Sequence, residues 1–261
     1  MPQPSLPRRQ ILLASLCLCA AGAHAQPVTA TVAAAANLQP ALTDIAAQFE
    51  KHTGHRLRLV FGSSGNFVTQ IQQGAPFHMF LSADEDFVHQ LADAGLTVDH
   101  GRIYAVGRIG LFVPTGAPLK ADSELQDLAR ALKAGVVRKF AIANPEHAPY
   151  GARAREALQH AGLWAALQDR LVLGENIAQV AQFATSGGAQ AGVLAYSLAL
   201  TPQLASRGSF ALIPATWHKP LAQRMVLLKN APPAARAFYD HLSTPAAQAT
   251  LVRHGFGRPL P

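Results

Sequence analysis

The sequence predicts an α/β protein of two lobes with mostly parallel sheets. Short β-like apolar runs alternate with amphipathic helical stretches along nearly the whole chain, the pattern of layered α/β domains. The alternation runs through one βα set and restarts near Arg108 with a second. Two such sets suggest a ligand held where the strand ends of two lobes face each other.

Residues 28–36 (VTATVAAAA) read as the first strand, and residues 41–54 (ALTDIAAQFEKHTG) as an amphipathic helix stopped by glycine. LRLVFG (57–62) is the next strand, NFVTQIQQG (66–74) a helix and FHMFLSA (77–83) a third strand. DEDFVHQLADAG (84–95) follows as a helix with its acids in the first turn, where the helix dipole favours them. The second set begins with the strand RIGLFVP (108–114) and the helix ELQDLARALKAG (124–135). KFAIA (139–143), RLVLG (170–174) and AGVLA (191–195) read as strands, separated by the helices ARAREALQHAG (152–162) and IAQVAQFATSGG (177–188). A strand over 221–229 and helices over 233–243 and 245–255 close the chain. The predicted division is 26–106 plus 222–261 for lobe one and 107–221 for lobe two.

The first 25 residues are set apart as a signal peptide. Arg8 and Arg9 precede an apolar stretch, and Ala23-His24-Ala25 supplies small residues at the cleavage positions. The arginine pair leaves the general and twin-arginine export routes both open. Export to the periplasm is expected, and both cysteines, Cys17 and Cys19, fall within the leader. The mature chain of 236 residues then has no thiol for a disulfide or a thiolate metal site. Without Arg8 and Arg9 the 22 basic residues become 20 against 15 acids, a net +5 that favours an anionic partner. Those bases are scattered and rarely interleaved with aromatics, which argues against nucleic acid.

Four junctions share a chemistry. AAAANLQPAL ends a strand in alanines and offers Asn37 ahead of a helix; FGSSGN offers Ser63 and Ser64 between glycines. NPEHAPYGARA offers Tyr150 at a helix start, and LGENIAQVA opens a helix at Asn176 and Ile177. The first turn of a helix carries unpaired N–H donors and roughly half a positive charge. Several such turns aimed at one point make an anion site without lysine or arginine. Any one of them also reads as an ordinary cap, Asn176 above all.

In order along the chain, AAAANL, FGSSGNFVTQIQQGAPFHMFLSAD, NPEHAPYGARAREAL, LGENIAQV and FYDHLSTPAAQATLVRHGF resemble the periplasmic molybdate-binding proteins that feed ABC importers. The resemblance implies a Venus-flytrap (type II periplasmic-binding-protein) fold holding molybdate or tungstate in its cleft through neutral donors. It implies ligand roles for Asn37, Ser64, Tyr150 and the Ile177 backbone amide, with Ala36 and Ser63 as possible additions. Ala36 stands where some relatives have threonine, and Tyr196 lies one step past a tyrosine that others use, so no role passes to Tyr196. Molybdenum would be present only inside the oxyanion, with no side chain on the metal and no cofactor. The implied partners are the oxyanion and a membrane permease, the protein acting as a monomer.

Other classes fare worse. A serine hydrolase would use Ser63 or Ser64, but GSSG is not the G-x-S-x-G elbow. A cation site lacks the spacing of H-E-x-x-H: Glu146 and His147 read as shaping the Tyr150 turn, and His52 and His55 as surface residues at a helix end. A sulfate or other oxyanion receptor on the same scaffold is the alternative. Apart from Arg153, which falls in the helical stretch after Tyr150, the four turns lack the arginine or aspartate expected of phosphate types.

Overall fold

The computed structural model describes residues 29–259. The segment expected to be a leader, with Arg8, Arg9, Cys17 and Cys19, lies outside the described residues. On the first side, β1 (Thr29–Ala35) passes through a 3-10 turn (Ala36–Leu38) into α1 (Gln39–Thr53). Next come β2 (Arg56–Gly62), α2 (Ser64–Gln72), β3 (Met79–Leu81), α3 (Glu85–Asp93) and β4 (Arg102–Gly107). Arg108 alone separates β4 from β5 (Ile109–Pro114), which opens the second side. There follow α4 (Gln126–Lys133), β6 (Phe140–Ala143), α5 (Pro149–His160), α6 (Trp164–Leu167), β7 (Leu171–Gly174) and α7 (Ile177–Thr185). β8 (Ala191–Ala195), α8 (Tyr196–Ala199), α9 (Pro202–Ala205) and β9 (Gly208–Leu212) complete that side. The chain then returns as β10 (Leu221–Leu227), α10 (Pro233–His241) and α11 (Pro245–Arg253).

These strands make two five-stranded sheets, β2-β1-β3-β10-β4 and β7-β6-β8-β5-β9. β1 runs parallel to β2 and β3, and β6 parallel to β7 and β8. β10 runs antiparallel to β3 and β4, and β5 antiparallel to β8 and β9. Each sheet is therefore mixed, with two pairings of each kind, where the sequence pattern predicted mostly parallel sheets. The reason is connectivity. A strand–helix–strand crossover returns parallel, whereas β5 and β10 enter their sheets directly from the other side. Sequence reading missed β4 and β9, both of which lie at sheet edges, where a short strand needs little apolar patterning.

The first sheet is covered on both faces. Val32 and Ala34 of β1, Met79 and Leu81 of β3, and Met225 and Leu227 of β10 face the larger core. Their neighbours Ala33, Phe80 and Val226 face a smaller one with Phe67, Val68 and Leu91. That alternation is the period of two expected of a strand, and burial on both faces explains why these strands are apolar throughout. Among the described residues no helix is long and apolar enough to cross a membrane.

The start of α5 is held tightly against β6: a Cβ placed on Gly151 would lie 2.0 Å from the Ala143 carbonyl oxygen. Gly151→Ala is expected to destabilise the protein by about 1–3 kcal/mol through that overlap. Urea unfolding measures it, and an unchanged midpoint would show that α5 is not pinned there.

Candidate functional site

Parallel register ends β1 and β2 side by side, Ala35 opposite Gly62, and ends β6 and β7 with Ala143 opposite Gly174. The helices that follow these four strands therefore start near one another, and residues from all four starts line a single recess. Ala36, Asn37, Ser63, Ser64, Tyr150 and Ile177, the six positions singled out in the sequence, are all in its wall. Ala35, Gly62, Ala83, Ala148, Pro149 and Asn176 complete the lining, so among the described residues no charged side chain faces the recess.

The local hydrogen bonds decide which hydrogens remain unspent. Ser64, 0% exposed, accepts from the Ala83 N–H at 3.0 Å, and this leaves its own O–H free to donate. Asn176 caps α7 by accepting from the N–H groups of Ala178 and Gln179 at 3.0 and 3.2 Å. The cap leaves the first helical N–H, that of Ile177, unclaimed. Tyr150 Oη accepts from Gln223 Nε2 at 3.0 Å, so its hydrogen too can point elsewhere. Burial pushes the Tyr150 phenol upward against smaller opposing effects from Gln223, Asn37 and Arg108, and the group stays protonated. Asn37 Nδ2 donates to Gln223 Oε1 at 3.1 Å, while Asn37 Oδ1 is buried without a partner.

Ser63 behaves differently from a cap. It precedes α2, yet its side chain makes no capping bond and lies instead 3.1 Å from His147 Nδ1. Gly65 donates its N–H to the His147 carbonyl at 2.9 Å, and a Cβ there would come within 2.7 Å of that oxygen. The glycine in GSSG is thus required by the close approach of the NPEHAPYG segment. His147 Nε2 is 3.6 Å from Glu175, so Ser63, His147 and Glu175 stand in a row. Ser63 is nevertheless buried beneath those same contacts. Glu146 pairs with Arg155 at 3.1 Å, outside the recess. Tyr196 stacks on Phe210 beneath the Arg108 guanidinium and is not in the lining. Among the described residues no cluster of three or more histidines, cysteines or acids has the makings of a cation site.

The family model of the bacterial extracellular solute-binding proteins matches residues 30–257. The chain belongs to this family. One similar solute-binding protein is the molybdate-binding protein ModA of Azotobacter vinelandii, 38% identical, the match covering 97% of this chain and 98% of that one. The molybdate-binding protein ModA of Rhodobacter capsulatus is also 38% identical, over 86% of each chain. The solved periplasmic molybdate-binding protein of A. vinelandii superposes with a TM-score of 0.80 at 30% identity, covering 88% of this chain and 100% of that one. The Mycobacterium tuberculosis sulfate-binding protein SubI superposes at 0.74 with 14% identity, covering 90% of this chain and 88% of that one, a likeness of fold alone. A two-lobed solute-binding fold is therefore the architecture of this chain.

Sequence reading missed two features of this solute-binding protein. Gln223, 0% exposed, stands behind the recess; its signal is a glutamine at an inward position of β10 between Leu221 and Met225. The second is Arg153 of α5, whose guanidinium is buried between Asp84 and Glu156. Glu156 also accepts the Lys219 N–H at 2.7 Å. Arg153 and Asp84 come from opposite sides of the molecule, so this pair ties α5 to the cap of α3. Arg153→Leu leaves the Asp84 carboxylate buried and unpaired and is expected to cost about 3–5 kcal/mol. The double variant with Asp84→Asn, which removes the charge while keeping a side-chain oxygen to cap α3, recovers part of that. Chemical denaturation of the three proteins checks it, and equal stability of the single and double variants would disprove the coupling.

Proposed function

We propose that this protein captures molybdate, and tungstate with it, in the periplasm and passes the ion to the membrane permease of an ABC importer. The observation that carries the reading is a buried recess without charged side chains where four helix starts meet, in a family member 38% identical to proteins named for molybdate binding. In this reading the Ser64 and Tyr150 hydroxyls, the Ile177 N–H and the Asn37 amide hold the oxyanion, with Ala36 and Ser63 in contact. Residues 26–106 with 222–261 form one lobe and 107–221 the other, each supplying half the donors. The leader over 1–25 directs export, and the mature protein acts as a monomer.

The chemistry supports this choice of ligand. A dianion leaving water loses tens of kcal/mol of solvation, which only an array of fixed donors can replace. Uncharged donors also discriminate. Hydrogen phosphate carries an O–H that needs an acceptor, and wherever the O–H does not reach the unpartnered Asn37 Oδ1, leaving it unpaired costs about 1–3 kcal/mol. Sulfate is fully deprotonated but smaller, so donors set for molybdate stand too far from its oxygens.

A thermal-shift panel of molybdate, tungstate, sulfate and phosphate tests the reading. Molybdate and tungstate are expected to raise the melting temperature, by the equivalent of about 2.7 kcal/mol at a hundredfold excess over Kd. Sulfate and phosphate at equal concentration give a smaller rise, and a flat response to molybdate would end the proposal. Ser64→Ala and Tyr150→Phe each remove one donor and are expected to weaken molybdate binding by about 1–3 kcal/mol in calorimetry. Unchanged affinity in both would take these side chains out of the site.

A further inference from the structure

Behind the recess lies a polar network that no charged group enters. Gln223 Oε1 accepts from Asn37 Nδ2 at 3.1 Å and lies 2.9 Å from Tyr104 Oη, whose single hydrogen is shared between this oxygen and the Ser82 carbonyl at 3.1 Å. Gln223 Nε2 donates to Tyr150 Oη at 3.0 Å. Three elements of the first sheet's side thus meet one residue from α5 through a single amide. The space for that meeting exists because residue 107 is glycine: a Cβ there would lie 2.5 Å from Tyr150 Oη and 2.6 Å from Gln223 Nε2.

We infer that Gln223 is a positioning residue that fixes the direction of the Tyr150 hydrogen bond, so that the phenol presents a donor and not an acceptor to the recess. The inference rests on the oxyanion reading given above. An amide has one donating and one accepting end. With Asn37 donating to Oε1 and Tyr104 sharing its hydrogen with the same oxygen, the amide offers Tyr150 its N–H, and the phenol donates away from Gln223. A carboxylate at position 223 accepts from both tyrosines, turns the Tyr150 hydrogen inward and shows a lone pair to the anion. Gln223 thereby also governs selectivity, since a phenol turned to accept would favour a protonated oxyanion.

Gln223→Glu and Gln223→Met separate this role from simple packing. Calorimetry with molybdate at about pH 8 is expected to show a loss of about a hundredfold for the glutamate and about tenfold for the methionine. Acidification to about pH 5.5 protonates the glutamate carboxyl, restores one donor and one acceptor, and recovers at least about tenfold in Gln223→Glu only. Hydrogen phosphate competes better against molybdate in Gln223→Glu than in the parent. A ligand-free readout accompanies these titrations: the Raman tyrosine doublet, assigned by difference from Tyr150→Phe, moves toward the strong-donor ratio in Gln223→Glu. If the parent protein binds no tetrahedral oxyanion, the functional reading fails and the Raman shift alone decides the assignment of Gln223. Equal losses in both variants without recovery at low pH, or an unmoved doublet, would overturn it.

Discussion

Parallel pairing that ends in register is the constraint on which the rest depends. Because Ala35 lies opposite Gly62 and Ala143 opposite Gly174, the helices after β1, β2, β6 and β7 begin as two adjacent pairs. Each helix start carries donors that its own ladder cannot use. Two pairs brought face to face concentrate those donors in one small volume, which no single βα unit achieves. Ala35, Ala36 and Gly62 line the recess, where larger side chains would fill the space the donors need, while Gly65 answers instead to the close approach of the His147 carbonyl.

What faces the recess is then set by how neighbouring groups are already spoken for. The Ala83 N–H occupies a lone pair of Ser64, and Gln223 occupies one of Tyr150, so both hydroxyls are left with a hydrogen to give. Asn176 takes the second and third N–H groups of α7 and leaves the first. In each case an ordinary structural hydrogen bond decides the polarity of the group beside it. Burial reinforces the effect, because a desolvated phenol holds its proton more tightly.

Much of this was legible in the sequence. The βα alternation gave the layered class, and the four junctions stood out because small and uncharged polar residues recur ahead of helical periodicity. All six candidate positions line one wall. The edge strands β4 and β9 were not legible, since their partners β10 and β5 are either distant or reached across a fold of the chain. Nor was the direction of pairing, which depends on where the chain changes sheets. Ser63 reads as a cap by position, yet its oxygen goes to His147, 84 residues away. Gln223 left a faint trace as a polar residue in an apolar alternation, but its partners at positions 37, 104 and 150 are set by tertiary structure alone.

The contacts that close the recess come from both sides and are themselves polar. Gly65 and Ser63 meet His147, Ser197 Oγ donates to the Asn37 carbonyl at 2.9 Å, and Arg153 meets Asp84. Hydrogen bonds of this kind are worth about 0.5–1.5 kcal/mol net when water competes for their partners, and more once water is excluded. A buried ion pair adds little to stability while strongly penalising any arrangement that leaves one partner alone. Such a seam therefore selects the fully joined arrangement over partly joined ones. If the proposed oxyanion binds between the two sides, its own hydrogen bonds add to a seam already biased toward completion. The free energy such an ion would have to supply to hold the sides together is then smaller by what the seam contributes.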